Sequence, residues 1–198
     1  MRESLGDDQL IALVRRAQSG DTGAVGAVIR GLRTRIFRYA LARIGRREEA
    51  EDVTQETCLA LTSALPGFDP DTGRFTSFVF GIASNKVLMA QRSRGRRPEV
   101  PVAELPDERA AEPGPAELAE RGDTLRRLLA HLDELPDKHR DVLLMRVVAG
   151  LSADEVGEAL GVTAANVRVI QHRALSSLRS RLGAVGDAFT ADTAEGGE

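Results

Sequence analysis

Asp52, Gln55, Glu56 and Leu59 fall at i, i+3, i+4 and i+7, so a helix through them carries three polar side chains and one leucine on a single face. Two carboxylates one turn apart are part of what a metal-dependent nucleotide hydrolase needs. That chemistry also requires further carboxylates converging on the same ion, and the sequence offers no metal-ligand cluster, no nucleophile paired with a base and no phosphate-cradling loop. Taken alone, the face is a solvated helix side. Cys58, the single cysteine, excludes an internal disulfide and a Cys-rich metal site, and reads as a buried structural thiol.

Other residues suit phosphate and base recognition. "QRSRGRR", residues 91–97, carries four positive charges, among them Arg92 and Arg94. Residues 163–182 carry Arg168, Arg173, Arg179 and Arg181 with no acid. The whole chain is nevertheless acidic, with a formal net charge of -3. The acidity is concentrated elsewhere: residues 98–122 hold seven acidic against two basic residues, and 183–198 hold four acidic and no basic ones. Attraction to phosphate depends on the field within a Debye length of about 8–10 Å, so net charge says little about the partner.

These residues need helices to position them. With 42% hydrophobic, 29% charged and only 4% aromatic residues in a chain of 198, the composition is that of a soluble all-α protein. No apolar run is long enough to span a membrane and no secretory signal opens the sequence, which predicts a cytoplasmic protein. The fold class predicted is two small helical domains joined by a flexible linker. The first spans 1–97, the acidic Pro-rich linker 98–122, the second domain 123–182 and a disordered acidic tail 183–198. In the first domain Leu10, Leu13, Val14 and Ala17, then Ala24, Val28, Leu32, Ile36, Ala40 and Ile44, keep helical spacing. A third helix buries Val53, Ala60, Leu61 and Ala64, and a fourth, from Phe75, buries Phe78 and Ile82. Between them "PGFDPDTGRF" is a loop, with Phe68 placed either to stack on a base or to anchor the loop.

The second domain ends in "LSADEVGEALGVTAANVRVIQHRALSSLRSRL", in which Ser152 and Thr163 can cap two helices and Gly161 supplies a positive-φ turn. At about 100° per residue, Val167, Ile170, Ala174 and Leu178 face inward. Ala165, Arg168, Val169 and His172 point away. That is the layout of a helix-turn-helix, although a bare helical hairpin shares the spacing.

The order of "AEDVTQETCLAL", "FTSFVFGIASNKVLMAQRSRGRR", the Pro-rich acidic linker and "LDELPDKHRDVLLMRVVAGLSADEVGEALGV" resembles bacterial RNA polymerase sigma factors of the extracytoplasmic-function (ECF) subfamily of the sigma-70 family. The resemblance runs from Asp8 to Leu182. It implies a promoter-specificity subunit and not an enzyme, with no cofactor and no metal. It implies as partners core RNA polymerase, through its clamp and flap, promoter DNA and an anti-sigma factor. Asp52, Gln55, Glu56 and Leu59 would then bind core polymerase. Phe68, Asp69, Asp71, Thr72, Arg74, Asn85, Arg92 and Arg94 would contact the minus 10 element, and Thr163, Ala165, Arg168, Val169, His172 and Arg173 the minus 35 element. Val169, Ile170 and Gln171 depart from the residue types common in the family. A stand-alone helix-turn-helix repressor with an N-terminal dimerisation or ligand domain is the alternative reading.

Overall fold

The computed structural model describes residues 6–93 and 130–192, with side chains to Arg181. The predicted linker 98–122 and Arg94 lie outside the described residues. Among the described residues every regular element is a helix.

In the first domain α1 (Asp7–Gln18), α2 (Thr22–Ile44), α3 (Arg47–Ala64) and α4 (Phe75–Ser93) follow one another, with a single 3-10 turn, Leu65–Gly67, after α3. Ala24, Val28, Leu32, Ile36 and Ala40 recur every four residues along α2 and are all buried, the expected stripe. Each large apolar side chain so removed from water contributes about 1.5–3 kcal/mol before conformational entropy is counted. The Asp21 carboxylate accepts from the Ala24 N–H and starts α2, and Gly45, at φ 77°, ends it. α3 buries Val53 and Leu61, while Ala60 and Ala64 are only half-buried. Thr54 and Thr57 complete its inner face, their hydroxyls donating to the carbonyls of Ala50 and Val53 at 2.6 and 2.7 Å. Across the domain, Asp7 of α1 accepts from the Thr76 N–H and hydroxyl, capping the N-terminus of α4. The core of α4 is Phe75, Val79, Phe80, Ala83 and Val87. Phe78 and Ile82, expected in that core, are instead half-buried and line a cleft.

The second domain begins, in its described part, with helical residues 130–133. α5 (Asp137–Val147), α6 (Ala153–Leu160) and α7 (Ala164–Asp192) follow. α7 continues to Asp192, ten residues past the expected boundary with a disordered tail. Residues 183–192 contain no proline, and a glycine inside a helix costs only about 1 kcal/mol, so the sequence carries no strong stop for a helix already propagating.

The two domains do not stand apart. α5 packs on α2 and α6 on α4, and the apolar residues of both halves form one continuous cluster. Polar groups lie inside this junction. Arg43 and Asp141 are almost fully buried, and Asp141 Oδ1 accepts from Arg43 Nε at 2.7 Å and from the Tyr39 hydroxyl at 2.8 Å. Arg35 Nε donates to the Ala149 carbonyl at 2.9 Å, and Arg43 also reaches Asp137 at 3.1 Å.

Candidate nucleic-acid and partner surfaces

The helical period of α3 decides the first surface. With Ala50, Val53, Thr57 and Leu61 turned inward, Asp52, Gln55, Glu56 and Leu59 are left exposed on another side. Leu59 is 60% exposed, so it packs on nothing within the described residues that would account for an apolar side chain there. Glu56 is paired at 3.0 Å with Lys86 of α4, an exposed contact worth little to folding.

The loop between α3 and α4 is shaped by its own side chains. Asp69 Oδ1 accepts from the Asp71 N–H at 3.0 Å, and the Asp69 carbonyl accepts from both the backbone N–H and the hydroxyl of Thr72. The Asp71 carboxylate pairs with Arg15 of α1 at 2.8 Å. Phe68 is half-buried and meets Phe75 edge-on at 5.0 Å and Phe78 at 5.1 Å, yet it also lines the cleft. The two roles left open for it, anchor and stacking surface, are therefore compatible. Gln18 holds the loop from below, donating to the carbonyls of Leu65 and Phe68.

That cleft, about 450 Å³, is walled on one side by Phe68, Thr72, Arg74, Ser77, Phe78 and Asn85 and on the other by Glu158 and Ala159 of α6. Of the residues expected on the downstream-element surface, Phe68, Thr72, Arg74 and Asn85 meet here, whereas Arg92 is exposed near the far end of α4. Asp69 and Asp71 belong to the loop but do not line the cleft.

The helix-turn-helix is built as its sequence suggests. Ser152 and Glu155 form a reciprocal capping box at the start of α6, Gly161 closes that helix at φ 64°, and the Thr163 hydroxyl accepts from the Asn166 N–H at 3.2 Å. Gly157 has a stricter reason to be glycine. A Cβ there would lie 2.6 Å from the Val162 carbonyl oxygen, inside the turn. On α7 the residues Val167, Ile170, Ala174 and Leu178 are buried, and Thr163, Ala165, Arg168, Val169, His172 and Arg173 are all exposed. Two of the three departures noted in the sequence thereby acquire a local explanation. Ile170 is in the core, and Gln171 Oε1 accepts from Arg146 Nε at 3.1 Å, tying α7 to α5.

What sequence reasoning missed is the junction. Burial, then the Asp141 carboxylate, push the Tyr39 hydroxyl well above the usual phenol range. Burial alone depresses the Arg43 guanidinium, but the charge and hydrogen bond of Asp141 outweigh it and leave it raised. The available signal was Arg35, Tyr39 and Arg43 at i, i+4 and i+8, a polar stripe on an otherwise apolar helix.

Comparison with known proteins agrees with this arrangement. Residues 28–97 match the family model Sigma-70 region 2, and residues 131–180 match Sigma-70, region 4. The chain is 42% identical over 185 residues to the ECF RNA polymerase sigma factor SigD of Mycobacterium tuberculosis, covering 91% of this chain and 87% of that one. It is 40% identical over 181 residues to the ECF RNA polymerase sigma factor ShbA of Streptomyces griseus, covering 85% and 93%. Among solved structures, CnrH in complex with the cytosolic domain of CnrY matches with TM-score 0.68 and 25% identity, over 88% of this chain and 97% of that one. RpoE of Bartonella quintana, solved with the anti-sigma factor NepR, shares the fold at TM-score 0.57 and 16% identity, over 89% and 95%. Two matched regions in this order do not favour a stand-alone repressor. Among the described residues, no helix is long and apolar enough to cross a membrane.

Proposed function

Since the chain belongs to the ECF sigma factors of the sigma-70 family, which recognise promoters for RNA polymerase in transcription initiation, we propose how its surfaces divide that work. The exposed face of α3, Asp52, Gln55, Glu56 and Leu59, docks on the polymerase clamp, with Leu59 as the apolar centre of a polar patch. The loop 68–74 with Asn85 receives a base of the minus 10 element, and Arg92 and Arg94 follow the adjacent backbone. Thr163, Ala165, Arg168, Val169, His172 and Arg173 read the minus 35 element, while the second domain meets the polymerase flap. Catalysis belongs to polymerase, and no residue of this chain is assigned a catalytic, metal-binding or cofactor-binding role. The chain acts in the cytoplasm, where polymerase and promoters are. CnrH is solved with the cytosolic domain of CnrY and RpoE with the anti-sigma factor NepR, and this chain likewise has a protein partner, an anti-sigma factor.

The observation that carries this division is the two-sidedness of α7. All six residues assigned to the upstream element are exposed, while four residues of the same helix hold the core. Small side chains in its first turn let the helix N-terminus approach a groove, and Arg168 is long enough to reach guanine or phosphate. Transcription reconstituted with core polymerase on a promoter library tests the proposal. The expected result is a pair of preferred elements, with weak binding to duplex promoter by the protein alone and strong binding once core is added. Tight, sequence-specific binding of a homodimer to a palindrome in the absence of core is the contrary result.

A further inference from the structure

Helix α1 lies outside the matched sigma-70 region, which begins at residue 28, yet it fastens the segment between α3 and α4 at three points. At its start the Asp7 carboxylate accepts from the Thr76 N–H at 3.0 Å and from the Thr76 hydroxyl at 2.9 Å, where α4 begins. Arg15, a turn before its end, reaches Asp71 in the middle of the loop at 2.8 Å. Its last residue, Gln18, donates through Nε2 to the Leu65 carbonyl at 3.0 Å and to the Phe68 carbonyl at 2.6 Å, the two ends of the 3-10 turn. Leu10 and Val14 of α1 are fully buried, so the helix making these contacts is itself fixed in the core.

The Gln18 bonds differ in kind from those inside the loop. Asp69 and Thr72 bond one another's neighbourhood and set the curl of the loop, but they do not set where the curl sits on the domain. Gln18 does, across 47 and 50 residues of chain. A primary amide has two hydrogens on its nitrogen, one for each carbonyl, and its oxygen turned to the same place would face two carbonyl oxygens. The Gln18 side chain is exposed, so water can replace the donor when it is removed. Water cannot replace the position, because it is not tethered to α1. Groups that read a ligand have to be held to within about 0.5 Å, and a supporting residue earns its place by that precision without touching the ligand.

We propose that Gln18 is a positioning residue for minus 10 recognition: from the end of α1 it fixes the place of the loop 68–74, and thereby the bases that the loop selects, without contacting DNA. The proposal rests on the base-capture reading of that loop and deepens it.

The test uses the full chain with core polymerase, transcribing a promoter library randomised in the minus 10 element. Gln18→Met keeps the side-chain length and removes the donors, whereas Gln18→Lys keeps donors at a similar reach. Gln18→Met is expected to lose about fivefold or more of the discrimination at the positions the loop selects, the share of one well-placed base contact. Core affinity, upstream preference and melting temperature should stay as they are, since the substituted position is exposed. Gln18→Lys should retain most of the discrimination. In a protein whose residues 69–72 have been exchanged, Gln18→Met should change the minus 10 profile no further, because its effect passes through the loop. An unaltered profile in Gln18→Met overturns the proposal, and leaves base capture standing where the loop exchange still alters the profile. A loss that Gln18→Lys shares, or that persists undiminished in the exchanged background, overturns it too. So does a uniform fall on all promoters with a lower melting temperature, which makes Gln18 a structural residue. If the loop exchange itself leaves the profile unaltered, base capture falls and the proposal with it.

Discussion

The phenol of Tyr39 donates a 2.8 Å hydrogen bond to Asp141, 102 residues further along the chain. This is the only tyrosine, and the chain has no tryptophan, so phenolate absorbance reports on the domain junction and on nothing else. With its ionisation pushed well above 10.0 by burial and by the neighbouring carboxylate, Tyr39 stays neutral in the folded protein at a pH where a solvated phenol has ionised. The stability it lends the junction is fully present below pH 10 and is lost as pH rises through the raised value. Spectrophotometric titration should therefore show a late, steep phenolate transition, and Asp141→Asn should move it toward 10. A titration unchanged by Asp141→Asn would show that the carboxylate exerts no hold on this phenol.

The α3 face yields a binding test with little structural cost. Reversing charge at Asp52 and Glu56 should abolish association with core polymerase, measured by co-elution. Stability should change by about 0–1 kcal/mol, since the Glu56–Lys86 pair is exposed. Unfolding of the double variant would make the face structural.

Arg168→Ala distinguishes two ways of reaching DNA. A bidentate bond to guanine predicts a loss of about 1–3 kcal/mol confined to one position of the upstream element. A phosphate contact predicts uniform weakening and a shallower salt dependence. Binding across a set of single-base promoter variants reads both, and an unaltered profile would transfer the role to Val169 or His172.

Replacing 69–72 by a different sequence of equal length should change preference at one or two positions of the minus 10 element. Core binding and the upstream preference should stay as they are. The loss of the Asp71–Arg15 pair, which is well exposed, contributes little to any change in stability. A promoter library transcribed with the loop-swapped protein decides the matter, and an unaltered minus 10 profile counts against base capture here.

Gly157→Ala should destabilise the second domain by about 1–3 kcal/mol, because the added methyl meets a backbone oxygen that cannot move without opening the turn. Thermal melting measures it. A variant with wild-type stability would mean that the turn relaxes freely.

How far the sequence could be read follows from the range of the forces involved. The buried stripe Ala24 to Ala40 and the inward residues Val167, Ile170, Ala174 and Leu178 were legible because a helix repeats its buried face at a fixed angle, and they are buried as expected. The exposed sides of α3 and α7 follow from the same periodicity. Phe78 and Ile82 were misplaced because an apolar residue also suits the wall of a cleft, and nothing local distinguishes the two. Asp141 could not be found, since its partners Arg43 and Tyr39 lie 98 and 102 residues away and an acid within "RDVLLM" looks like the solvated side of a helix. Likewise the departure at Gln171 had no local explanation in the sequence, because its partner Arg146 lies on another helix, 25 residues away.

The two-sidedness of α7 has an evolutionary consequence. The residues that hold this helix in place, Val167, Ile170, Ala174 and Leu178, are different from those it presents, Arg168, Val169, His172 and Arg173. Substitution of exposed positions usually moves stability by no more than about 0.5 kcal/mol. With the outer side reading the upstream element as proposed, descendants of this gene acquire a new regulon through a few changes there, passing through intermediates that all fold. Divergence of address comes nearly free of penalty here, whereas divergence at the domain junction requires Tyr39, Arg43 and Asp141 to change in concert.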